Sequence, residues 1–177
     1  MTGASEYAVA LFSLTEELGT SDTAKEDVLS AEAALSANPK YIDLCDTPAI
    51  SISEKLALIS EAFKSLDVSV KNLIMILAEK HSVRLFAAIA RKYVSLYNES
   101  RGIVEAEAVS AEPLSAGQLD AIKQKLSRMT GKRIQLKNVI DRSIVGGVTL
   151  RYMGKQIDGS LKARLSQIEK SLKNTIL

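Results

Sequence analysis

The chain has no tryptophan, one cysteine, one histidine and three prolines in 177 residues, and aromatic side chains make up only 5%. Each scarcity removes a class of explanation. A lone cysteine, Cys45, excludes an internal disulfide and a multi-cysteine metal site. A lone histidine, His81, means that any histidine-based triad must centre there. With so few aromatics the core has to be built from Leu, Ile, Val and Ala, which suits packed helices. No apolar run reaches the roughly 18–20 residues that span a bilayer, and the best candidate, around 72–78, falls far short. Met1 leads into an acidic first helix, unlike the basic, acid-poor segments that target a chain elsewhere. A cytosolic setting is the expectation.

What is present is ordinary in amount and uneven in distribution. Hydrophobic residues are 46% and charged residues 25%, a globular balance that argues against disorder. The length allows one large domain or two small ones. The net charge of +2 conceals an asymmetry. Residues 1–119 hold 10 basic and 17 acidic side chains, whereas residues 120–177 hold 13 and 4. An acidic front and a basic back imply two surfaces with different partners.

The first hundred residues read as consecutive helices. Ala8, Leu11, Phe12 and Leu18 follow helical spacing, and a second stripe is Ala24, Val28, Ala31 and Leu35, begun by Ser21 or Asp22. Asn38 and Pro39 open a short third helix anchored by Tyr41, Ile42 and Leu44. Ser53 is the expected cap of a fourth, with Leu56, Ile59, Phe63 and Leu66 inward. Asp67 or Ser69 opens a fifth, VKNLIMILAEK, apolar on nearly every side, so it is central to a bundle or shares a face with a partner. A sixth runs from about Ser82 to Ser100, with Phe86, Ile89, Ala90, Tyr93 and Tyr97 inward, and Gly102 ends it.

After Gly102 the period changes. Val104, Ala106 and Ala108 alternate with Glu105 and Glu107 as a half-buried strand. Ser115 and Gln118 form a capping box for a helix with Leu119, Ile122, Leu126 and Met129 on one face, closed by Gly131. Ile134 and Leu136 mark a second strand, and Val148, Leu150 and Tyr152 a third that turns back at Met153-Gly154-Lys155. Asp158-Gly159 reads as another turn, with Ser160 capping a final helix of Leu161, Leu165, Ile168 and Leu172. The fold class is therefore mainly α: an N-terminal bundle of about six helices over 1–102, then a small α+β domain over 103–177.

No catalytic constellation emerges. His81 sits in the connection between the fifth and sixth helices, where capping or solvent exposure explains it, and Cys45 reads as an inert, buried or semi-buried thiol. Gly146-Gly147 lacks the phosphate-loop pattern and precedes no helix, which leaves a bulge or a close backbone approach. Glu105 and Glu107 fit a solvated strand face. The basic cluster Lys123, Lys125, Arg128, Lys132, Arg133, Lys137 raises nucleic-acid binding, yet only Tyr152 is at hand for base stacking. No catalytic residue, cofactor or metal is expected.

Three segments, in order and at matching spacings, carry a resemblance over almost the whole length. Tyr7-Ala8 with Ala10-Leu11-Phe12 resembles an opening YAxALF pattern. Residues 77–115, LAEKHSVRLFAAIARKYVSLYNESRGIVEAEAVSAEPLS, resemble a transition between two parts. Residues 144–172, IVGGVTLRYMGKQIDGSLKARLSQIEKSL, resemble a C-terminal signature. The family is the delta subunit of bacterial F-type ATP synthases, relatives of the mitochondrial oligomycin-sensitivity-conferring protein.

The resemblance implies a non-catalytic stator component that keeps the catalytic head from turning with the rotor during proton-driven synthesis. It implies a monomer within the complex, peripheral on the cytoplasmic face of the cell membrane without inserting, and without nucleic acid. The helical bundle would hold the N-terminal helix of an alpha subunit between its first and fifth helices, and the C-terminal part would grip the b subunits of the peripheral stalk. Tyr7, Leu11, Leu14, Leu73, Ile74 and Leu77 are the candidates for the first contact. Arg164, Ile168 and Leu172 are those for the second. The competing readings are a cytosolic helical adaptor and an RNA-binding accessory protein that uses the basic half.

Overall fold

The helical stripes before Gly102 fold as helices, and the period-two stretch after it folds as a sheet. The computed structural model describes residues 3–144, 146–152 and 154–160. Among them the order is α1 (Ala4–Glu17), α2 (Ser21–Ala37), α3 (Pro39–Asp46), α4 (Ile52–Ala62), α5 (Val68–Glu79), a 3₁₀ turn (Val83–Leu85), α6 (Phe86–Ser100), β1 (Ile103–Ser110), α7 (Ala116–Thr130), β2 (Arg133–Ile140), β3 (Gly147–Tyr152) and β4 (Lys155–Ser160). The chain divides into two compact units, Met1–Tyr97 and Asn98–Leu177. This is the mainly α architecture, with a small α+β C-terminal part, that the sequence implies.

The first unit has one core. Ala24, Val28, Ala31 and Leu35 of α2 are all buried in it, as are Val70, Leu73, Ile74, Leu77 and Ala78 of α5. Phe86, Ile89, Ala90 and Tyr93 join from α6, Ala8 and Leu11 from α1, and Ile59 with Phe63 from the α4 region. Each fully buried Leu, Ile or Phe contributes about 1.5–3 kcal/mol relative to exposure. Leu18, expected in the α1 stripe, is exposed because the helix stops at Glu17 and Leu18 is its C-cap.

Local chemistry sets the helix starts. Ser51, not Ser53, caps α4: its Oγ accepts the Glu54 N–H at 3.3 Å while the Glu54 carboxylate accepts the Ser51 N–H at 3.2 Å. That reciprocal pair satisfies two otherwise orphaned donors, which Ser53 inside the first turn cannot do. Asp67 caps α5 by accepting the Ser69 N–H at 2.8 Å. Pro39 occupies the first turn of α3, but the Asn38 amide turns back to the Ala34 carbonyl at 2.8 Å instead of capping. Neither Ser21 nor Asp22 caps α2; Thr20 holds that position without a side-chain bond.

In the second unit the sheet order is β2-β1-β3-β4. β1 runs parallel to β2, the two joined through α7, and antiparallel to β3; β3 and β4 form a hairpin. The Ser115–Gln118 capping box starts α7, and Gly131, at φ 66°, closes it in the left-handed region. Val104, Ala106, Leu126 and Ile134 make the core, with Ile122, Leu136, Leu150 and Tyr152 packed against it. Met129, expected on the inward face of α7, is exposed.

One turn is overturned. Asp158, Gly159 and Ser160 are strand residues of β4, paired with Thr149, Val148 and Gly147. The expected reversal between Tyr152 and Lys155 is there, with Gly154 at a φ of 71°. Six consecutive cross-strand pairs then outweigh the local turn preference of Asp-Gly. The expected final helix lies outside the described residues.

Candidate functional site

Part of the exposed apolar surface of the first unit lies on α1 and α5, two helices that pack against each other. Tyr7, Leu14 and Leu18 share one side of α1 by their spacing of seven and four residues. Leu14 is 45% exposed, and Leu18 also stands out. On α5, Ile76 is 41% exposed and Val68 is exposed at the start. α1 packs against α5, and the Tyr7 hydroxyl accepts a hydrogen bond from Lys80 Nζ at 3.0 Å just past the end of α5. The same ammonium lies 5.5 Å from the Tyr7 ring centroid, and its partnership with Tyr7 pushes the Lys80 pKa up. A cavity of about 550 Å³ opens beside this pair, lined by Glu6, Tyr7, Ala10, Lys80, Ser82 and Leu85.

The candidates from the sequence separate into two kinds here. Leu11, Leu73, Ile74 and Leu77 point into the core, with 6% exposure or less, so they support the surface from beneath rather than present it. Tyr7 is half-buried against that core and Leu14 is accessible. Val9, Leu18 and Ile76 were missed as exposed apolar residues. Ile76 was legible as an apolar position in a helix with too many of them; which side the neighbours cover was not. Arg164, Ile168 and Leu172 lie outside the described residues.

The residues that chemistry would need are engaged elsewhere. Lys55 is fully buried, with its Nζ donating to the Thr47 carbonyl and lying 3.0 Å from His81 Nδ1. A charged lysine donating there requires the neutral imidazole with its proton on Nε2. His81 itself is exposed and adopts a φ of 52°, the left-handed conformation of a tight turn. Cys45 is buried; burial pushes its thiol pKa up, Asp46 adds to the rise, and Lys55 with Tyr41 opposes it. That is the environment of an unreactive thiol. Asp46 accepts the Val83 N–H at 2.7 Å and the Arg84 N–H at 3.4 Å, and Arg84 also pairs with Asp43 at 2.7 Å. Among the described residues no cluster of His, Cys, Asp and Glu could hold a metal ion, and no helix is long and apolar enough to cross a membrane.

The second unit offers a different surface. Glu105 accepts from the Asn98 amide at 2.7 Å and Glu107 lies 3.8 Å from Arg151, so the paired carboxylates sit on a solvated strand face. Lys123, Lys125, Arg128, Lys132, Arg133 and Lys137 are all exposed on α7, β2 and the turn between them. Between α7 and β2 lie two cavities of about 430 and 360 Å³ that share Asp120, Lys123, Arg133 and Ile134.

Residues 4–172 match the family described as ATP synthase delta (OSCP) subunit. An ATP synthase subunit delta of Geobacillus sp. (strain WCH70) is 32% identical over 170 residues, covering 96% of each chain. That of Priestia megaterium is 33% identical over 170 residues, covering 96% of this chain and 94% of the relative. Among solved structures, a chain of the Toxoplasma gondii mitochondrial ATP synthase hexamer superposes with a TM-score of 0.72 at 24% identity, over 97% of this chain and 98% of that one. At that identity the likeness speaks for the fold.

Proposed function

The chain belongs to the ATP synthase delta (OSCP) subunit family, and from that premise we propose that it is a non-catalytic link between the catalytic head and the peripheral stalk. The first unit receives the N-terminal helix of an alpha subunit along the α1–α5 face, and the second unit holds the b subunits. The protein lies peripherally at the cytoplasmic face of the membrane and resists rotor torque while protons drive synthesis.

The observation that carries the head contact is the exposure of Leu14, Leu18 and Ile76 on or at the end of two helices, α1 and α5, that pack together and are tied by the Tyr7–Lys80 pair. An amphipathic helix presents anchors at three- and four-residue spacing, and exposed apolar residues on two packed helices are what it fits. The engagement of Lys55, His81, Cys45 and Asp46 in joints between helices agrees with a part that transmits force and turns nothing over. The experiment is a pull-down of the tagged chain at native expression from gently solubilised membranes, with mass spectrometry of what co-purifies. Near-stoichiometric alpha, beta and b subunits are expected. Soluble proteins or RNA without ATP synthase subunits would overturn the reading.

A further inference from the structure

Among the described residues, β2 is one of the two edge strands of the sheet in the second unit. β2 pairs with β1 along all eight residues and ends the sheet order, so its other side faces no strand among the described residues. Two backbone bonds fix which residues turn outward. Arg133 donates its N–H to the Gly102 carbonyl at 3.1 Å and Asp141 donates to the Ser110 carbonyl at 2.9 Å, both on the β1 side. Along a strand the N–H and C=O of one residue point the same way and alternate with those of the next. Residues 133, 135, 137, 139 and 141 therefore turn toward β1. Ile134, Leu136, Asn138 and Ile140 direct their N–H and C=O groups away from it. Among the described residues no strand meets these four donor–acceptor pairs, and such a row is a template for another strand.

The ground beside that row is a groove rather than open surface. The two cavities of about 430 and 360 Å³ run together between α7 and β2, lined by Leu119, Lys123, Ile134 and Leu136 on one side and Arg133 and Gln135 on the other. Charge then selects the occupant. Lys123, Lys132, Arg133 and Lys137 are exposed along the groove and edge, and Asp120 is the acidic residue of the lining. Because successive side chains of an added strand alternate between two faces, one face would meet Leu119, Ile134 and Lys123, and the other Arg133 and Lys137. The complement is an extended segment with acidic residues on both faces and apolar residues interspersed on the α7 side.

We propose that β2 accepts an extended, acidic segment of a stalk subunit as a fifth strand of this sheet. The proposal rests on the reading that the second unit holds the stalk, and it names the mode: backbone pairing at a sheet edge, distinct from helix-on-helix packing.

The test measures amide hydrogen exchange in the ¹⁵N-labelled full-length chain, alone and with the soluble part of the cognate b subunits. Protection gained at the alternate amides 134, 136, 138 and 140 is the expected result. So is an affinity about ten-fold lower for Lys123→Glu with Arg133→Glu, both surface changes that leave the core intact. Binding of the b subunits with those four amides unchanged would overturn the strand addition and leave the stalk reading standing. No binding at all would overturn the stalk reading and the strand addition with it. Protection of the same amides in the chain alone, with a dimer in sedimentation, would assign the edge to a second copy and also overturn the proposal.

Discussion

Truncating Leu14 and Ile74 separately should split docking from folding. Leu14 keeps 45% of its surface exposed, whereas Ile74 has none. Full burial of a leucine stabilises by about 1.5–3 kcal/mol, so a docked helix can recover at most about half of that, near 1 kcal/mol, from Leu14. At about 1.4 kcal/mol per ten-fold, Leu14→Ala should weaken binding of the alpha-subunit N-terminal peptide about five-fold. Its effect on folding should stay within about 0.5 kcal/mol, as for other surface changes. Ile74→Ala removes buried atoms among Val70, Leu77 and Ala78 and should cost about 2–5 kcal/mol of stability. Ile74→Val, at about 0.5–1.5 kcal/mol, keeps the chain folded for the binding measurement and should leave affinity unchanged. Urea denaturation reads the first quantity and fluorescence anisotropy with the labelled peptide the second. The reasoning fails if Leu14→Ala lowers stability by more than about 2 kcal/mol with affinity intact.

Three further outcomes are expected. Asp46→Ala removes the acceptor of the Val83 and Arg84 amides and should cost about 1–2 kcal/mol in urea denaturation, because it uncaps the turn into α6. Lys55→Met keeps the buried stem but strands the Thr47 carbonyl, so it should cost about 1–3 kcal/mol and remain milder than Lys55→Ala in thermal melts. Burial, with Cys45 beside it, pushes the Tyr41 phenol up to about 12 from its ordinary 10.0. A folded pKa above the unfolded one means this stabilising contribution is fully present below about pH 10 and is lost as the pH rises through about 12. Absorbance titration should show Tyr41 ionising later than a free phenol, and its ionisation at the ordinary pH in the folded chain would refute the assignment.

Much of the fold was legible because its signals are local. Ala24, Val28, Ala31 and Leu35 are apolar at helical spacing and all are buried. Ser115, Gln118 and Gly131 mark both ends of α7 within a few residues of themselves. Much of what was misread depends on distant partners, though not the start of α4. Asp158-Gly159 is a turn dipeptide until β3 offers a register to pair with. The Ser51–Glu54 box competes with Ser53 two positions later, and only the reciprocal bond to Ser51 decides between them. Lys55 reads as surface in any hydropathy pattern; its burial depends on Thr47 and His81, which other elements deliver. The same limit applies to the proposed docking face. Periodicity puts Leu11, Leu14, Leu73, Ile74 and Ile76 on apolar helices, but the neighbouring helices decide that Leu14 and Ile76 are left at the surface.

The polar groups inside the first unit point to one further consequence for a part under torque. Lys55 of α4 joins the end of α3 to the turn after α5. Asp46 of α3 holds the start of the next turn, and Asp27 of α2 accepts the Asp67 N–H at 2.6 Å where α5 begins. Thr15 of α1 and Tyr93 of α6 share a buried hydrogen bond at 2.8 Å. Apolar packing is non-directional and lets helices slide with little penalty over short distances, whereas a buried hydrogen bond fixes register because breaking it strands a polar group. A bundle tied at its helix ends in this way deforms as one body under load. Tyr93→Phe should therefore leave the fold intact at a cost of about 1 kcal/mol and speed amide exchange in α1 and α6 together. Faster exchange confined to α6 would show that the two helices move independently and that the joints do not couple them.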